Sequence, residues 1–285
     1  MFRAAPQPAR VRLPAAAGRF YPAEADALRR EVTEHLHRAG AVVEPAPKAV
    51  IAPHAGYFYS GPVAGCAFAP GKLWSDRVRR VVVVGPSHFE SFDGLAVSMA
   101  EAFATPLGEM AIDRAAVEKL VRLRLVRVHE PAHQADHALE VELPFLQTLL
   151  PEATLVPILT GQSNGEQVGE VLNLLWGGEE TVIVISSDLS HYLDYDRARE
   201  VDAETRAAVE ALDPAPVDAY HACGHLPIQG LLQAARVRGL RPVTMDLRNS
   251  GDTSGRRDRV VGYGAWVFEP MPNPAHPDPS ANPVH

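Results

Sequence analysis

The chain has 285 residues and is 46% hydrophobic, which is enough for the buried core of one large α/β domain. Its formal net charge of -8 and its scattered Lys and Arg residues argue against a nucleic-acid-binding surface. No apolar run is long enough to span a bilayer and the first residues do not resemble a secretory leader, so the sequence predicts a cytoplasmic protein without a membrane partner.

The chain begins with residues 1–10, which predict a flexible arm, and ends with the Pro-rich residues 269–285, which predict a disordered tail. The domain is expected over residues 11–268. Hydrophobic spacing predicts helices over 23–39, 62–69, 113–123, 137–150, 165–175, 195–212, 215–221 and 226–238, and strands over 48–52, 79–85, 95–99, 153–159, 181–186, 242–247 and 260–268. This alternation predicts a single-domain, three-layer α/β/α sandwich with a mostly parallel or mixed central sheet.

Three of the predicted core strands end at polar side chains. In the segment AVIAPHAG the hydrophobic run ends at Pro53 and His54, RVVVVGPSH ends at His88, and TVIVISSDLSH leads into Asp188 and His191. The four consecutive valines before His88 predict a strand that is buried on both faces. Because the carboxyl ends of parallel strands border a common crevice, these side chains are candidates for one site.

The residue types at these strand ends leave several chemistries open. Imidazoles with one carboxylate are typical of non-haem Fe(II), whereas three imidazoles and a water suit zinc. Asp188 is expected either to orient an imidazole or to cap a helix, and His191 is a candidate general acid or base. No glycine-rich phosphate loop follows a predicted strand, which argues against a nucleotide cofactor.

Other segments offer weaker candidates. In the loop NSGDTS, Asp252 is either a turn residue or a third metal ligand. His137 and Glu140 are expected to border the cleft, and Glu142 is equally well explained as a solvated helix residue. The aromatic run that ends at Tyr59 suggests a pocket wall. The two cysteines, Cys66 and Cys223, are interpreted as small buried side chains, because their number and spacing fit neither a disulfide framework nor a zinc motif.

Taken together, these segments resemble the Memo family, also called AmmeMemoRadiSam system protein B. The resemblance covers residues 11–268. It rests on an ordered series of motifs: LPAAAGRFYPA, APHAGYFYSGPVA, VVVVGPSH with FDGLAVS, TPLGE, HALEVELPFLQ, ISSDLSHY and NSGDTSGRRDRVVGY.

The resemblance implies a fold like that of the class III extradiol dioxygenases, with a metal site at the strand ends. It places His54 and His88 as two metal ligands and His191 as an acid/base histidine. Animal members are described with a cysteine as third ligand; the matching loop here contains Asp252 and Thr253 instead. Those members are also described as binding peptides, with aromatic residues equivalent to Phe20 and Tyr59 near the pocket.

The leading hypothesis is a metal-dependent redox or oxygenase-like enzyme that uses a divalent ion, with Fe(II) first and copper or zinc as alternatives. The family resemblance also implies a functional link to a radical SAM protein. Two other functions stay open: a non-catalytic module that binds a peptide or small molecule, and a zinc-dependent hydrolase. The oligomeric state does not follow from the sequence.

Overall fold

The computed structural model describes residues 11–39 and 45–271. The strands are β1 (Val11–Arg12), β2 (Ala49–Ala52), β3 (Arg80–Pro86), β4 (Leu95–Val97), β5 (Ala102–Thr105), β6 (Gly108–Ala111), β7 (Arg127–Val128), β8 (Thr154–Thr160), β9 (Thr181–Ser186), β10 (His191–Leu193), β11 (Leu240–Asn249) and β12 (Val260–Pro270). The α-helices are α1 (Ala25–Arg38), α2 (Tyr57–Phe68), α3 (Arg114–Arg122), α4 (Glu130–Ala135), α5 (Leu143–Leu149), α6 (Gly165–Leu175), α7 (Tyr195–Glu210), α8 (His225–Val237) and α9 (Ser250–Ser254).

The centre of the fold is a mixed sheet in the order β10-β12-β2-β9-β3-β8-β4-β7, with β11 paired to β12. The four middle strands β2, β9, β3 and β8 run parallel. The neighbours β12 and β4 run antiparallel to β2 and β8. A separate small sheet contains β1, β5 and β6. The predicted α/β fold with a mixed central sheet is therefore confirmed.

The middle strands are buried on both faces. Every residue of β2 and β9 is buried, and Val81 to Val84 in β3 are at most 1% exposed. Strands of this kind need helices on both sides, because neither face meets water. Helices α1, α2 and α5 pack together as one group, and α6 packs against α8 as another.

Three predicted helices differ from the structure. The helix predicted over 62–69 is α2, which begins five residues earlier, at Tyr57, so that Pro62 lies inside it. Residues 215–221 form turns, because the Asp213 and Asp218 carboxylates accept hydrogen bonds from backbone N–H groups two residues ahead. Within the predicted helix over 137–150, a 3₁₀ turn over Glu140–Glu142 precedes α5, and Pro144 lies in the first turn of α5 where its missing N–H is tolerated.

The end of the domain also differs from its predicted boundary. Strand β12 continues to Pro270, so two residues assigned to the tail belong to the sheet. The predicted arm, residues 1–10, and the remainder of the predicted tail, residues 272–285, lie outside the described residues. Among the described helices, none combines the length and the apolar character needed to cross a bilayer.

Candidate metal centre

Three potential metal ligands converge at the carboxyl ends of β2 and β3. One atom each from His54, His88 and Cys223 lies within 4.8 Å of the others. His54 follows β2, His88 follows β3, and Cys223 lies two residues before the start of α8. The rings of His54 and His88 are nearly perpendicular, with centroids 5.1 Å apart, so their in-plane lone pairs can point to a common position. The structure thus brings together the two predicted histidines and adds a thiol that the sequence had not singled out.

The hydrogen bonds of Ser186 determine which nitrogen of His54 carries a proton. The Ser186 hydroxyl lies 2.6 Å from the carbonyl oxygen of Ala138, 2.8 Å from Glu142 Oε1 and 2.8 Å from His54 Nδ1. The carbonyl oxygen can only accept, so we assign the single Ser186 proton to it. Glu142 and His54 Nδ1 must then both donate to Ser186 Oγ. This assignment leaves the His54 Nε2 lone pair free to bind a metal.

A protonated Glu142 agrees with its surroundings. The residue is fully buried, and Glu142 Oε2 has no hydrogen-bond partner among the described residues. Burial raises the pKa of Glu142 well above its ordinary value, because a carboxylate would lose its hydration there. The alternative interpretation of Glu142 as a solvated helix residue is therefore wrong, because its side chain is fully buried against Ser186, behind His54.

His88 is oriented in a similar way, but by a carboxylate. Its Nδ1 lies 3.1 Å from Asp136 Oδ1, and its backbone N–H donates to Asp136 Oδ2. Although burial acts to raise the pKa of Asp136, the hydrogen bonds from His88 hold it below its ordinary value. An ionised Asp136 accepts the Nδ1 proton, which leaves His88 Nε2 as the free lone pair. A carboxylate that holds the outer nitrogen of a ligating histidine is common in metal sites.

His137 supports the ring of His88. Its ring stacks on His88 with centroids 4.6 Å apart and on Phe20 with centroids 4.2 Å apart. Burial and then the neighbouring His88 lower the pKa of His137 to about 4, so the stacked imidazole is neutral at physiological pH. His88, Asp136 and His137 also form a second group of potential ligand atoms. The His88 and His137 rings of this second group are nearly parallel, with an interplanar angle of 16°.

Asp188 and His191 lie beside the ligand cluster, the group of potential ligands formed by His54, His88 and Cys223. Asp188 Oδ1 accepts hydrogen bonds from the backbone N–H groups of His54, at 2.9 Å, and Ala55, at 3.2 Å. Burial raises the pKa of Asp188 to about 6. His191 Nδ1 lies 2.7 Å from the carbonyl oxygen of Leu189, so it is the protonated nitrogen and Nε2 is free. Tyr192, with a φ of 63°, follows His191 at an irregularity in the β10–β12 pairing.

Cys223 supplies a thiol to the cluster. Its Sγ lies 3.4 Å from His54 Nε2 and 3.6 Å from the carbonyl oxygen of Asp188. Burial raises the pKa of the Cys223 thiol to about 12, so it is protonated when no cation is near. The interpretation of Cys223 as only a small buried side chain is corrected by its position against His54. In the sequence Cys223 lies in ACGH, between two predicted helices, and no local pattern marks it as a site residue.

The loop expected to provide a third ligand has a structural role. Asp252 Oδ1 accepts a hydrogen bond from the Tyr195 hydroxyl, and Asp252 Oδ2 accepts one from the backbone N–H of Asn249 in the capping box of α9. The Thr253 hydroxyl donates to the carbonyl oxygen of Ser250. Neither residue belongs to the ligand cluster. Asp252 thus lies outside the group of potential ligand atoms, in which Cys223 is the third residue beside His54 and His88.

Tyr59 and Glu140, two residues predicted to border the pocket, make contacts elsewhere in the structure. Tyr59 packs edge to face on Phe58, and both rings are exposed. Glu140 is fully buried, and it pairs with Arg12 and accepts hydrogen bonds from the backbone N–H groups of Ala15 and Ala16. Glu140 therefore anchors the N-terminal segment of the domain instead of lining a cleft.

A cavity of about 390 Å³ opens next to the cluster. Its walls include His88 and Cys223, two of the three potential ligands. The rest of the lining comes from the loop after β3, the end of β8 and the first turn of α8. Phe20 and Tyr59 are not among the lining residues, so the cavity differs from the predicted aromatic pocket.

Comparison with known sequences gives a consistent result. The sequence profile of the family described as "Memo-like protein" matches residues 12–267. A MEMO1 family protein from Methanosarcina mazei is 33% identical over 272 residues, covering 91% of this chain and 99% of the relative. A MEMO1 family protein from Aquifex aeolicus is 34% identical over 274 residues, with coverage of 91% and 99%.

Comparison with solved structures finds the same fold. The crystal structure of an uncharacterized protein from Escherichia coli K12 superposes with a TM-score of 0.53. The match covers 77% of this chain and 98% of that protein, at 13% sequence identity.

Proposed function

Since this chain belongs to the Memo-like protein family, we propose that it binds one metal ion through His54, His88 and Cys223 and uses it in redox, oxygenase-like chemistry on a small molecule. The observation that carries this proposal is the convergence of three donor atoms within 4.8 Å. Two imidazoles and a thiolate suit iron and copper, which are redox-active, and also zinc. Iron(II) or copper is the proposed ion.

The residues around the donors fit a metal site. Ser186 and Asp136 hold the outer nitrogens of His54 and His88, so both inner nitrogens present lone pairs. A bound redox ion supplies one-electron chemistry. His191 has a free Nε2 and is proposed to accept or return protons from a substrate. Asp188 holds the backbone of His54 through two hydrogen bonds and so fixes the turn that carries this ligand.

Metal analysis tests this assignment. Protein purified anaerobically is compared with His54→Ala, His88→Ala and Cys223→Ala, and Asp252→Ala serves as the matched control because its side chain caps α9. We expect close to one equivalent of iron or copper in the wild type and in the control, and loss of most of it in the three ligand variants. Equal metal content in all five proteins would overturn the proposed ligand set.

The identity of the metal separates this proposal from its alternatives. Zinc bound by the same three residues, with no redox change on adding ascorbate or ferricyanide, would favour a hydrolase and reject the redox role. A folded protein that takes up none of iron, copper or zinc would favour a binding module without a metal.

A further inference from the structure

The side chains that line the cavity beside the ligand cluster limit which molecules it can bind. Among the described residues that line it, none is Lys or Arg, and Glu90 supplies a carboxylate. Gln162 Nε2 donates to the Ser91 hydroxyl, which leaves Gln162 Oε1 as an acceptor. The walls therefore include hydrogen-bond acceptors and a carboxylate, and no Lys or Arg among the described lining residues offers a positive charge to an anion.

His225 adds an acceptor that the proposed metal site does not use. It is the first residue of α8 and lies two positions after Cys223. Its Nδ1 lies 3.2 Å from the carbonyl oxygen of Ala222, so Nδ1 is the protonated nitrogen. In the neutral ring, Nε2 then carries a lone pair. The cavity thus brings an imidazole acceptor to the same wall as the thiol of the ligand cluster.

Phe89 contributes an apolar surface at the mouth. Its side chain is 61% exposed, and it lies next in sequence to His88 on the cavity wall. An exposed ring at the mouth of a polar cavity can stack on a planar ligand. A volume of about 390 Å³ is within the range of small-molecule sites.

From these features we propose that the cavity binds a small neutral or cationic molecule that carries hydroxyl or amino groups, with His225 Nε2 as the principal acceptor. This inference rests on the proposed function, because a ligand held here lies beside His88 and Cys223. It extends that function by naming the class of substrate and a residue that selects it.

Three probes with the same phenol ring and different charges test the selection. These are tyramine, which is cationic, tyrosol, which is neutral, and 4-hydroxyphenylacetate, which is anionic. Binding to the full chain is measured by calorimetry and ligand-observed NMR, first on chelator-treated protein and then on the metal-loaded protein. We expect tyramine and tyrosol to bind the chelator-treated protein at least tenfold more tightly than the anion.

Variants test the role of His225. His225→Leu is expected to weaken tyramine and tyrosol about five- to tenfold, the loss of one hydrogen bond to a neutral acceptor. His225→Gln, which keeps an acceptor at a similar reach, should restore part of this loss. His37→Leu, an exposed histidine on α1, is the matched control and should bind like wild type. Leu226→Trp, which fills the cavity from its wall, should abolish binding of all three probes without changing metal content.

Several results would overturn the proposal. They are equal or tighter binding of 4-hydroxyphenylacetate, binding of no probe to the wild type, unchanged binding in His225→Leu, or unchanged binding in a folded Leu226→Trp variant. Probe binding retained in a protein that takes up no metal would support the cavity and reject the proposed metal function. Stoichiometric metal without probe binding would reject the cavity assignment alone.

Discussion

Replacing Ser186 by alanine should weaken both the fold and the metal site. The hydroxyl of Ser186 satisfies three buried groups: the carbonyl oxygen of Ala138, Glu142 and His54 Nδ1. An unsatisfied buried polar group costs about 1–3 kcal/mol, so Ser186→Ala should lower the free energy of unfolding by about 3 kcal/mol or more. Losing the partner that orients a ligating histidine typically weakens metal affinity about 10- to 100-fold.

Two measurements separate these effects. Urea denaturation of the metal-free protein gives the free energy of unfolding, and competition with a chromophoric chelator gives the zinc(II) affinity of the folded protein. Zinc is a convenient probe because it accepts the same imidazole and thiolate donors and does not oxidise. Thr205→Val is the matched control, since it removes a fully buried hydroxyl that donates only to Val201 within α7. This control should keep wild-type zinc affinity.

The reasoning would be refuted by a folded Ser186→Ala protein that binds zinc as tightly as the wild type. Such a result would show that Ser186 does not determine the tautomer of His54. A loss of stability alone, with zinc affinity unchanged, would leave Ser186 as a packing residue only.

Three further predictions concern buried ionisable groups. Glu142→Gln should change the free energy of unfolding at pH 7 by less than about 1 kcal/mol, because both side chains are neutral; a large change in urea denaturation in either direction would contradict the neutral acid. Arg12→Leu leaves the buried Glu140 carboxylate without its cationic partner. It should lower the free energy of unfolding, measured by urea denaturation, by about 3–5 kcal/mol. A loss below about 1 kcal/mol would show that the ion pair does not stabilise the fold. Burial lowers the pKa of His35 from 6.5 to about 4. Between pH 6.5 and pH 4 the His35 imidazole is therefore protonated in the unfolded chain and neutral in the folded protein, so stability falls as the pH falls through this range. Between these two pH values the free energy of unfolding should fall by about 3 kcal/mol. His35→Leu should remove this part of the pH dependence. Parallel profiles of unfolding free energy against pH for the variant and the wild type would contradict the prediction.

The parts of the fold that follow from local pattern were predictable. The valine run of β3, the strand β9 and the helix α6 appear within one residue of their predicted bounds, because burial on both faces and helical spacing leave clear patterns. The helix α9 was missed although Asn249 and Asp252 have the spacing of a capping box. That signal could have been read from NSGD.

The composition of the site was only partly predictable. His54 and His88 follow hydrophobic runs, and their strands lie on either side of β9, so strand-end reasoning located both. Cys223 follows a segment of turns and reaches the cluster through the packing of α8, which no local pattern encodes. Asp136 was missed for a related reason, because its partner His88 is supplied by another segment of the chain.

The three proposed ligands come from distant segments of the chain, and this has a consequence for how a bound metal ion would affect folding. No short peptide from the chain contains more than one of His54, His88 and Cys223, so the unfolded chain should bind the ion far more weakly than the native protein does. An ion that binds only the native state stabilises it by mass action, by about 3 kcal/mol when its free concentration is 100 times the dissociation constant. The melting temperature should therefore depend on the free metal concentration, and supply of the metal in the cell should affect how long the protein survives proteolysis.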